Sequence, residues 1–483
     1  MNRRMVLYTL GYITIANAAL LLLPAIVSAL YGELSTLWTF LIVIGISLLI
    51  GFALRLFSKP GTTVIYAKEG FAIVSFAWLI MAAIGALPFV IEGAIPSYID
   101  AFFEIVSGFT TTGASILSGD SLTSMSHGLL FWRSFSHWIG GMGVLVFVMA
   151  IIPNLSDRSI HIMRAEMPGP EVGKLLPKAR DTAKILYLIY IGMTAVEIIL
   201  LLVGGMPLFD SLVHTFGTAG TGGFGIKPDS IGGYSPYLQW VIAIFMLIFG
   251  INFNLYYLLL IGKVKAVLKN TEMWVYLGFV GFSVAIITAN IFSMYSGFEE
   301  SLRMSAFQVA SIVSTTGFAT TDFNLWPGLS KAILLLLMFT GACAGSTAGG
   351  IKMSRVVILF KSIFREFKKL LHPRSVKVIK VDGKKIDEQM IGSVTTYFAI
   401  YMVCTLGIFA LLSIEPFDME TNFSATVACF NNIGPGLAGV GPAANYSAYS
   451  GFSKLLLSLA MLLGRLEIFP LILGLNPMVW KKK

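Results

Sequence analysis

Thr110-Thr111-Thr112-Gly113-Ala114 decides how the chain is read, because a turn of the same kind returns three times. Its counterparts are Gly220-Thr221-Gly222-Gly223-Phe224, Ser314-Thr315-Thr316-Gly317-Phe318 and Asn431-Asn432-Ile433-Gly434-Pro435. Aligned on Gly113, Gly223, Gly317 and Gly434, successive turns stand 110, 94 and 117 residues apart, each interval enough for one membrane hairpin and its connections. Gly admits positive φ and lets consecutive carbonyls aim at one point, which suits a dehydrated cation. Taken singly, each pentapeptide also reads as a small-residue packing face. Their surroundings argue for a ring of four. Each turn follows a short, partly polar segment that cannot span a bilayer and precedes a long apolar run. Asp100 lies thirteen residues before Gly113, and Asp210 thirteen before Gly223.

Composition sets the frame outward from these turns. The 483 residues are 56% hydrophobic and 12% charged, with a mean hydropathy of +0.82. A water-soluble fold is excluded, and an all-α polytopic membrane protein is expected. Cys343, Cys404 and Cys429 sit in apolar surroundings without the spacing of a disulfide framework or metal site. The net charge of +9 is clustered in particular loops, which makes it a topology signal and gives no reason to expect a nucleic-acid partner.

The chain opens with Arg3 and Arg4 and two apolar runs, about 5–30 and 37–57, the first read as a retained helix because no small-residue cleavage site follows it. The hairpins then cross at about 70–91 and 128–152, 182–204 and 236–262, 273–294 and from 329 past 360, and 390–413 and 452–475. Half-length segments before each turn re-enter at 96–109, 207–217, 299–313 and 418–430. This predicts ten spans, with four fused helix–pore-loop–helix repeats in pseudo-four-fold arrangement behind two extra N-terminal helices. The expected divisions are 1–68, 69–180 (repeat one), 181–271 (two), 272–388 (three) and 389–483 (four).

Charge placement fits this course. Of the 34 Lys and Arg, 28 fall in the predicted inner loops and tails, which puts both termini in the cytoplasm. The predicted outer segments carry Glu92, Asp100, Glu104, Asp210, Glu299, Asp418 and others, so an acidic mouth is expected. Helices that enter from outside and stop at each turn aim their partly negative ends at the path, and none of the four turns holds a basic residue. The permeant ion is expected to be a cation. His137 reads as a packed or hydrogen-bonded helix residue, since no second ligand stands at helical spacing. Arg133 has no evident role.

Two further stretches stand out. Gly341-Ala342-Cys343-Ala344-Gly345-Ser346-Thr347-Ala348-Gly349-Gly350-Ile351-Lys352 lies in an apolar run too long for one span, and each helical Gly costs about 1 kcal/mol relative to Ala. A break is expected there, tolerated at membrane depth only if buried in protein or facing water, so the loop is placed under the turns, across the path. The other reading is a small-residue face for close helix packing. Arg465, in Gly464-Arg465-Leu466-Glu467, sits deep in the last run, where an unpaired Arg costs roughly 3 kcal/mol. It reads either as a structural partner of Glu467 or another carboxylate, or as a fixed charge below the turns that cooperates with the loop. The inner loop at about 361–388 is strongly basic and contains a strand-and-turn pattern at Val376–Lys384. It suits membrane lipid headgroups or, with the loop at 153–184, a cytoplasmic partner.

The four turns, each between the helices of a membrane hairpin, resemble those of the Trk/Ktr/HKT superfamily of potassium transporters. The two extra N-terminal helices and the wording of the turns resemble the bacterial Trk membrane subunits, over essentially residues 1–480. The resemblance implies a bacterial inner-membrane protein taking up K⁺ through one pore per subunit, a homodimer, no cofactor beyond the transported ion, and a TrkA-type cytoplasmic nucleotide-binding ring as regulator. It implies a K⁺ filter at Thr111, Thr112, Gly113, Gly220, Thr221, Gly222, Gly223, Thr315, Thr316, Gly317, Asn432, Ile433 and Gly434. It implies a gate at Gly345, Ser346, Thr347, Ala348, Gly349 and Gly350, with Arg465 beside it. The glycine set is complete, which the resemblance associates with potassium preference. Asn431, Asn432 and Ile433 stand where the first turn has three Thr, so coordination is not expected to be four-fold exact. The alternative function is a carrier coupling K⁺ to H⁺ or Na⁺. Carriers commonly use inverted repeats and membrane-embedded acids, whereas these repeats run in one orientation and only Glu197 and Glu467 are expected within spans. No nucleophile, base and orienting group converge, so no enzyme is expected.

Overall fold

A computed structural model describes residues 2–61, 66–117, 119–143, 179–374 and 377–477. The loop expected from 153 is outside these residues up to 178, as are the end of the 128–152 run and Lys481-Lys482-Lys483. The fold is all-α save one short hairpin, Lys380–Val381 against Lys384–Lys385. The N-terminal helices Arg3–Leu20, Leu22–Leu30 and Leu34–Phe57 pack on one another and on Ala67–Gly85. Gly11 and Gly51 meet where a Cβ on Gly11 would stand 2.8 Å from the Gly51 carbonyl oxygen, the close backbone approach expected of small residues between membrane helices. Large apolar side chains such as Leu49, Leu188, Phe282, Leu336 and Val403 remain exposed, as befits surfaces that face lipid.

Among the described residues six helices are long and apolar enough to cross a membrane, or eight if each of two bent pairs is one span. The expectation was ten. Two of the shortfall lie in the second helices of repeats one and three: His127–Gly141 is described only in part of its run, and Gly328–Thr340 stops at the expected break before Met353–Leu371 resumes.

The bends correct two spans read as straight. Pro236–Phe249 and Phe253–Leu260 meet at 91°, and Gly451–Arg465 and Phe469–Leu475 at 117°. At the first, Asn252 turns its side chain onto the Asn254 N–H and starts a new helix. At the second, Glu467 and Ile468 are both left-handed, with φ of 53° and 65°, while the Ile468 N–H closes on the Leu463 carbonyl at 2.8 Å. Gly250 caps the helix before the first break and Pro470 opens the helix after the second, but Gly and Pro are common inside membrane helices, so periodicity alone reads through both.

The short helices before the turns are Tyr98–Phe109, Leu208–Gly220, Phe298–Val313 and Met419–Phe430. Side-chain caps at Ser97 and Asp418 and a Pro before Leu208 fix where three of them start. Each is packed against the helix that leaves its own turn, in the order expected for repeated hairpins.

Candidate functional site

The four short helices end in one backbone motif. Two residues before the aligned glycine the chain is left-handed in every turn, at Thr111 (φ 55°), Thr221 (57°), Thr315 (58°) and Asn432 (57°). The glycines follow at 78° for Gly113, 75° for Gly223, 86° for Gly317 and 95° for Gly434. Each helix is closed by a long bond, Thr112 N to Ser107 O at 2.9 Å, Gly222 N to Gly217 O at 2.7 Å, Thr316 N to Ser311 O at 2.9 Å and Ile433 N to Ala428 O at 2.9 Å. A shorter bond accompanies each, such as Thr111 N to Gly108 O at 3.1 Å. The pair is a Schellman helix end, which demands a left-handed residue and uses up carbonyls of the last turn. Three of those residues are β-branched Thr, for which the left-handed region costs about 1–3 kcal/mol and persists only where surroundings enforce it.

The turns close on one another. A Cβ on Gly113 would stand 2.1 Å from the Gly222 carbonyl oxygen, on Gly223 1.9 Å from that of Thr316, on Gly317 2.0 Å from that of Ile433, and on Gly434 2.6 Å from that of Thr112. Each glycine therefore abuts a carbonyl of the next repeat, and the fourth returns to the first. Only a residue without a side chain fits these four places. Among the described residues no hydrogen bond is directed at the carbonyl oxygens of Thr112, Gly222, Thr316 or Ile433. All four glycines border a single cavity of about 250 Å³.

The side chains of the turns serve the protein. Thr110 and Thr112 hydroxyls bond at 2.8 Å, as do those of Ser314 and Thr316. Asn432 Nδ2 donates across the ring to Thr112 Oγ1 at 3.0 Å and to the Met461 carbonyl at 2.9 Å. His137 lies wedged between repeats one and two, 2.8 Å from the Gly108 carbonyl through Nδ1 and accepting from the Phe224 N–H at 3.3 Å through Nε2. It is the packed helix residue the sequence suggested.

The segment Gly341–Lys352 lies directly under this ring. A Cβ on Gly349 would stand 2.4 Å from the Asn431 carbonyl oxygen, and the Gly349 N–H donates to Thr315 Oγ1 at 2.7 Å. The Cys343 N–H bonds the Gly250 carbonyl at 3.0 Å and the Phe253 N–H bonds the Gly345 carbonyl at 3.0 Å, so the loop fills the bend of repeat two. Arg465 spans the gap from ring to loop. Its Nη1 donates to Thr111 Oγ1 at 3.1 Å and to the Thr347 carbonyl at 2.7 Å, and its Nη2 to the Gly140 and Gly141 carbonyls at 2.6 and 2.7 Å.

A family model described as a cation transport protein, TrkH, matches residues 39–482. The chain belongs to this family. It is 36% identical over 493 residues to the Trk system potassium uptake protein TrkH of Salmonella typhimurium, covering all of both chains. It is 33% identical to TrkG of Escherichia coli strain K12 over 96% of each chain. The crystal structure of the potassium transporter TrkH from Vibrio parahaemolyticus matches the whole fold with a TM-score of 0.88 at 31% identity, over 100% of both chains.

The structure decides between two readings of Arg465 in this TrkH-family chain, gives Arg133 a place and alters the expected mouth. Arg465 does not pair with Glu467: the Glu467 carboxylate takes Arg355 at 2.6 Å, because the bend after Arg465 swings it away. Arg133, which had no assigned role, is buried and bonds the Glu104 carboxylate at 2.6 Å, the Gly225 carboxyl-side carbonyl at 2.9 Å and Ser115 Oγ at 3.1 Å, with its guanidinium 3.6 Å above the Phe224 ring. These bonds tie the segments that follow turns one and two.

The acidic mouth is the expectation that changes. The cavity over the ring is lined by Arg133 and Lys227 and by no Asp or Glu among the described residues. The acids are engaged elsewhere: Glu104 with Arg133, Asp100 with Lys454 at 2.7 Å, Asp210 with the Tyr234 hydroxyl at 2.7 Å, and Asp418 on the Thr421 N–H at 2.6 Å. Helix starts favour acids, and Asp100, Asp210 and Asp418 stand in the first turns or at the cap of three of the short helices. Sequence reading also missed Glu272, Lys352 and Arg355, all buried around the loop. Each stands at a helix start or in a basic run, where a solvated charge is the ordinary reading.

Proposed function

We propose that the chain takes up K⁺ through a channel-like pathway whose selectivity filter is the ring at Gly113, Gly223, Gly317 and Gly434. The observation that carries this is the closed cycle of glycine-to-carbonyl approaches, which leaves four equivalent oxygens without hydrogen-bond donors. Four helix ends behind them add partial negative charge, so a dehydrated cation is stabilised there and an anion is not. The relatives are named for potassium uptake, which supplies the ion. In this reading Thr111, Thr112, Gly220, Thr221, Gly222, Thr315, Thr316, Asn432 and Ile433 build the filter wall. Their carbonyls act as ligands and their hydroxyls and amides as braces.

The gate is the loop Gly345-Ser346-Thr347-Ala348-Gly349-Gly350 with Arg465. It blocks the path by bulk and by a fixed positive charge, and opening requires the Arg465 bonds to Thr347 and Thr111 to part. The repeat divisions near residues 68, 180, 271 and 388 follow from the same scheme. So do an inner-membrane location, cytoplasmic termini, a homodimer, and a TrkA-type nucleotide-binding ring acting on the basic loop at 361–388.

Purified protein in planar bilayers tests this reading. Discrete unitary K⁺ currents that collapse on Gly223→Ala are expected; flux seen only with an imposed H⁺ or Na⁺ gradient would establish the carrier instead. Glu197 favours that second reading enough to keep it in the assay, being a fully buried carboxyl in the Ala179–Val203 span. Glu197→Gln is expected to leave K⁺ currents and their pH response as in the parent.

A further inference from the structure

The intramembrane loop is fastened near both of its ends by one carboxyl oxygen. Glu272, in the first turn of Thr271–Ile291, accepts through Oε1 from the Ala344 N–H at 2.7 Å and from the Ser354 N–H at 2.8 Å. Ala344 stands just inside the start of the loop and Ser354 just past its end, so a single buried side chain holds the two necks together. The loop's other fastenings differ in kind. Gly349 and Thr347 are held by the ring and by Arg465, and Lys352 turns its ammonium back onto the Ala348 carbonyl. Glu272 bonds to the loop only through backbone N–H groups, and charge-assisted bonds of this type are the stronger ones.

The same helix start is gripped from its other side. Asp382 accepts from the Thr271 N–H at 2.6 Å through Oδ1 and from Asn270 Nδ2 at 3.1 Å through Oδ2. Asp382 and Gly383 are both left-handed, at φ 51° and 77°, which is what a two-residue hairpin turn between Lys380–Val381 and Lys384–Lys385 requires. A carboxylate at a helix N-terminus meets both free N–H groups and the positive end of the dipole. The hairpin's flanks, Ile379 and Ile386, pack onto Ile358 in Met353–Leu371, the helix that leaves the loop. A cavity of about 190 Å³ separates these parts, bordered by Asn270, Glu272, Ala344, Ser354, Asp382 and Lys384. The exposed hairpin therefore touches both elements on which the loop is hung.

We propose that Glu272 is a positioning residue of the intramembrane loop and that the Asp382 hairpin is its lever, passing a pull on exposed Lys384 and Lys385 through Thr271 to both necks of the loop. This rests on the reading of that loop as the gate. It adds the route by which a surface contact at the hairpin reaches it.

Hydrogen–deuterium exchange of the full chain in lipid vesicles, together with rubidium flux from the same vesicles, tests latch and gate separately. In Glu272→Ala, peptides within 341–354 should exchange on the order of ten-fold faster or more, the size of one lost charge-assisted hydrogen bond. Glu272→Met, similar in bulk but without an acceptor, should match Ala, and Glu272→Gln, which retains an oxygen, should recover much of the protection. Asp382→Ala, altered at the surface, should speed exchange in the same peptides by a few-fold. Unchanged exchange in Glu272→Ala, or parent-like protection in Glu272→Met, overturns the latch whatever the flux does. Unchanged exchange in Asp382→Ala beside a responding Glu272→Ala overturns the lever. Faster exchange with parent-like rubidium flux upholds the latch and removes the gate reading beneath it.

Discussion

The ring and the loop under it are both irregular backbone at membrane depth, yet they are held by opposite means. The ring is fastened mainly without charge: Schellman ends, hydroxyl pairs, and glycines pressed on carbonyls. The loop is fastened by charge: Arg465 on Thr347, Lys352 on Ala348 and Glu272 on Ala344 and Ser354. An ion's binding place needs invariant geometry, and close-packed backbone supplies it because it has no second arrangement of similar energy. A moving part needs two states, and bonds carried by single side chains can be exchanged one for another. The contrast predicts that damage to the ring destroys transport, whereas damage to the loop's fastenings releases it.

The harshest way to break the contrast is a methyl group in the ring. Gly223→Ala puts Cβ 1.9 Å from the Thr316 carbonyl oxygen at a φ of 75°, so steric overlap adds to a backbone cost of about 1–2 kcal/mol. We expect K⁺ uptake to fall at least a hundred-fold in cells lacking other uptake systems, while the purified protein still elutes like the parent and melts a few degrees lower. Retained uptake would mean that the ring is wider in operation than the closed cycle implies.

Arg465→Ala should act in the opposite direction. Removing four donations, one to the ring, one to the loop and two to the end of the His127–Gly141 helix, frees Thr347 and takes the positive charge from under the turns. Rubidium flux in reconstituted vesicles should rise several-fold, and Arg465→Lys, a point charge without the planar fork, should fall between. Unchanged flux in a folded Arg465→Ala protein would remove it from the gate.

How much of this the chain announces depends on the kind of fastening. The four turns were legible because glycine at a fixed place in a repeat has few other causes, and the break at 341–352 because several Gly cannot sit in one span. Their closure into a ring with every aligned glycine against the next carbonyl follows the same residues. The bends at 250–252 and 466–468 were not legible, since Gly250 and Pro470 are of kinds common in membrane helices and Glu467 is an ordinary helix residue until Arg355 of another repeat takes it. The buried charges were hidden for a related reason. Glu104 pairs with Arg133 across 29 positions and Glu272 reaches Ala344 across 72, distances at which no local pattern links donor to acceptor.

The Glu104–Arg133 pair sharpens the comparison, because among the described residues it is a charged device that serves the ring and not the loop. It is nearly fully buried, so removing one partner strands the other, a loss of about 3–5 kcal/mol. Glu104→Gln should keep the bonds to Ser115 and the Ile116 N–H in weaker form and lower the melting temperature by several degrees. Turns one and two would loosen together, and Na⁺ should enter more readily relative to K⁺ in competition flux assays. A stability loss with unchanged ion preference would show the pair to be a brace of the fold alone.

The smallest expected effect concerns where the ring departs from four-fold likeness. In the fourth turn the Gly434 carbonyl accepts from the buried Tyr446 hydroxyl at 2.7 Å, a bond that the carbonyls of Gly113, Gly223 and Gly317 do not receive among the described residues. Donation drains electron density from that oxygen and leaves it a weaker ligand for a cation. Tyr446→Phe removes only the hydroxyl and leaves the ring packed on Phe103 and Tyr449. The lost hydrogen bond is worth about 1 kcal/mol, and the freed carbonyl gains in its hold on the ion by a comparable amount. The apparent K⁺ affinity at the outer face should therefore tighten by two- to five-fold with maximal flux unchanged or slightly lower. A weakened affinity would mean that the hydroxyl serves by aiming the carbonyl, and the fourth turn would then join the first three in needing its geometry fixed more than its oxygen free.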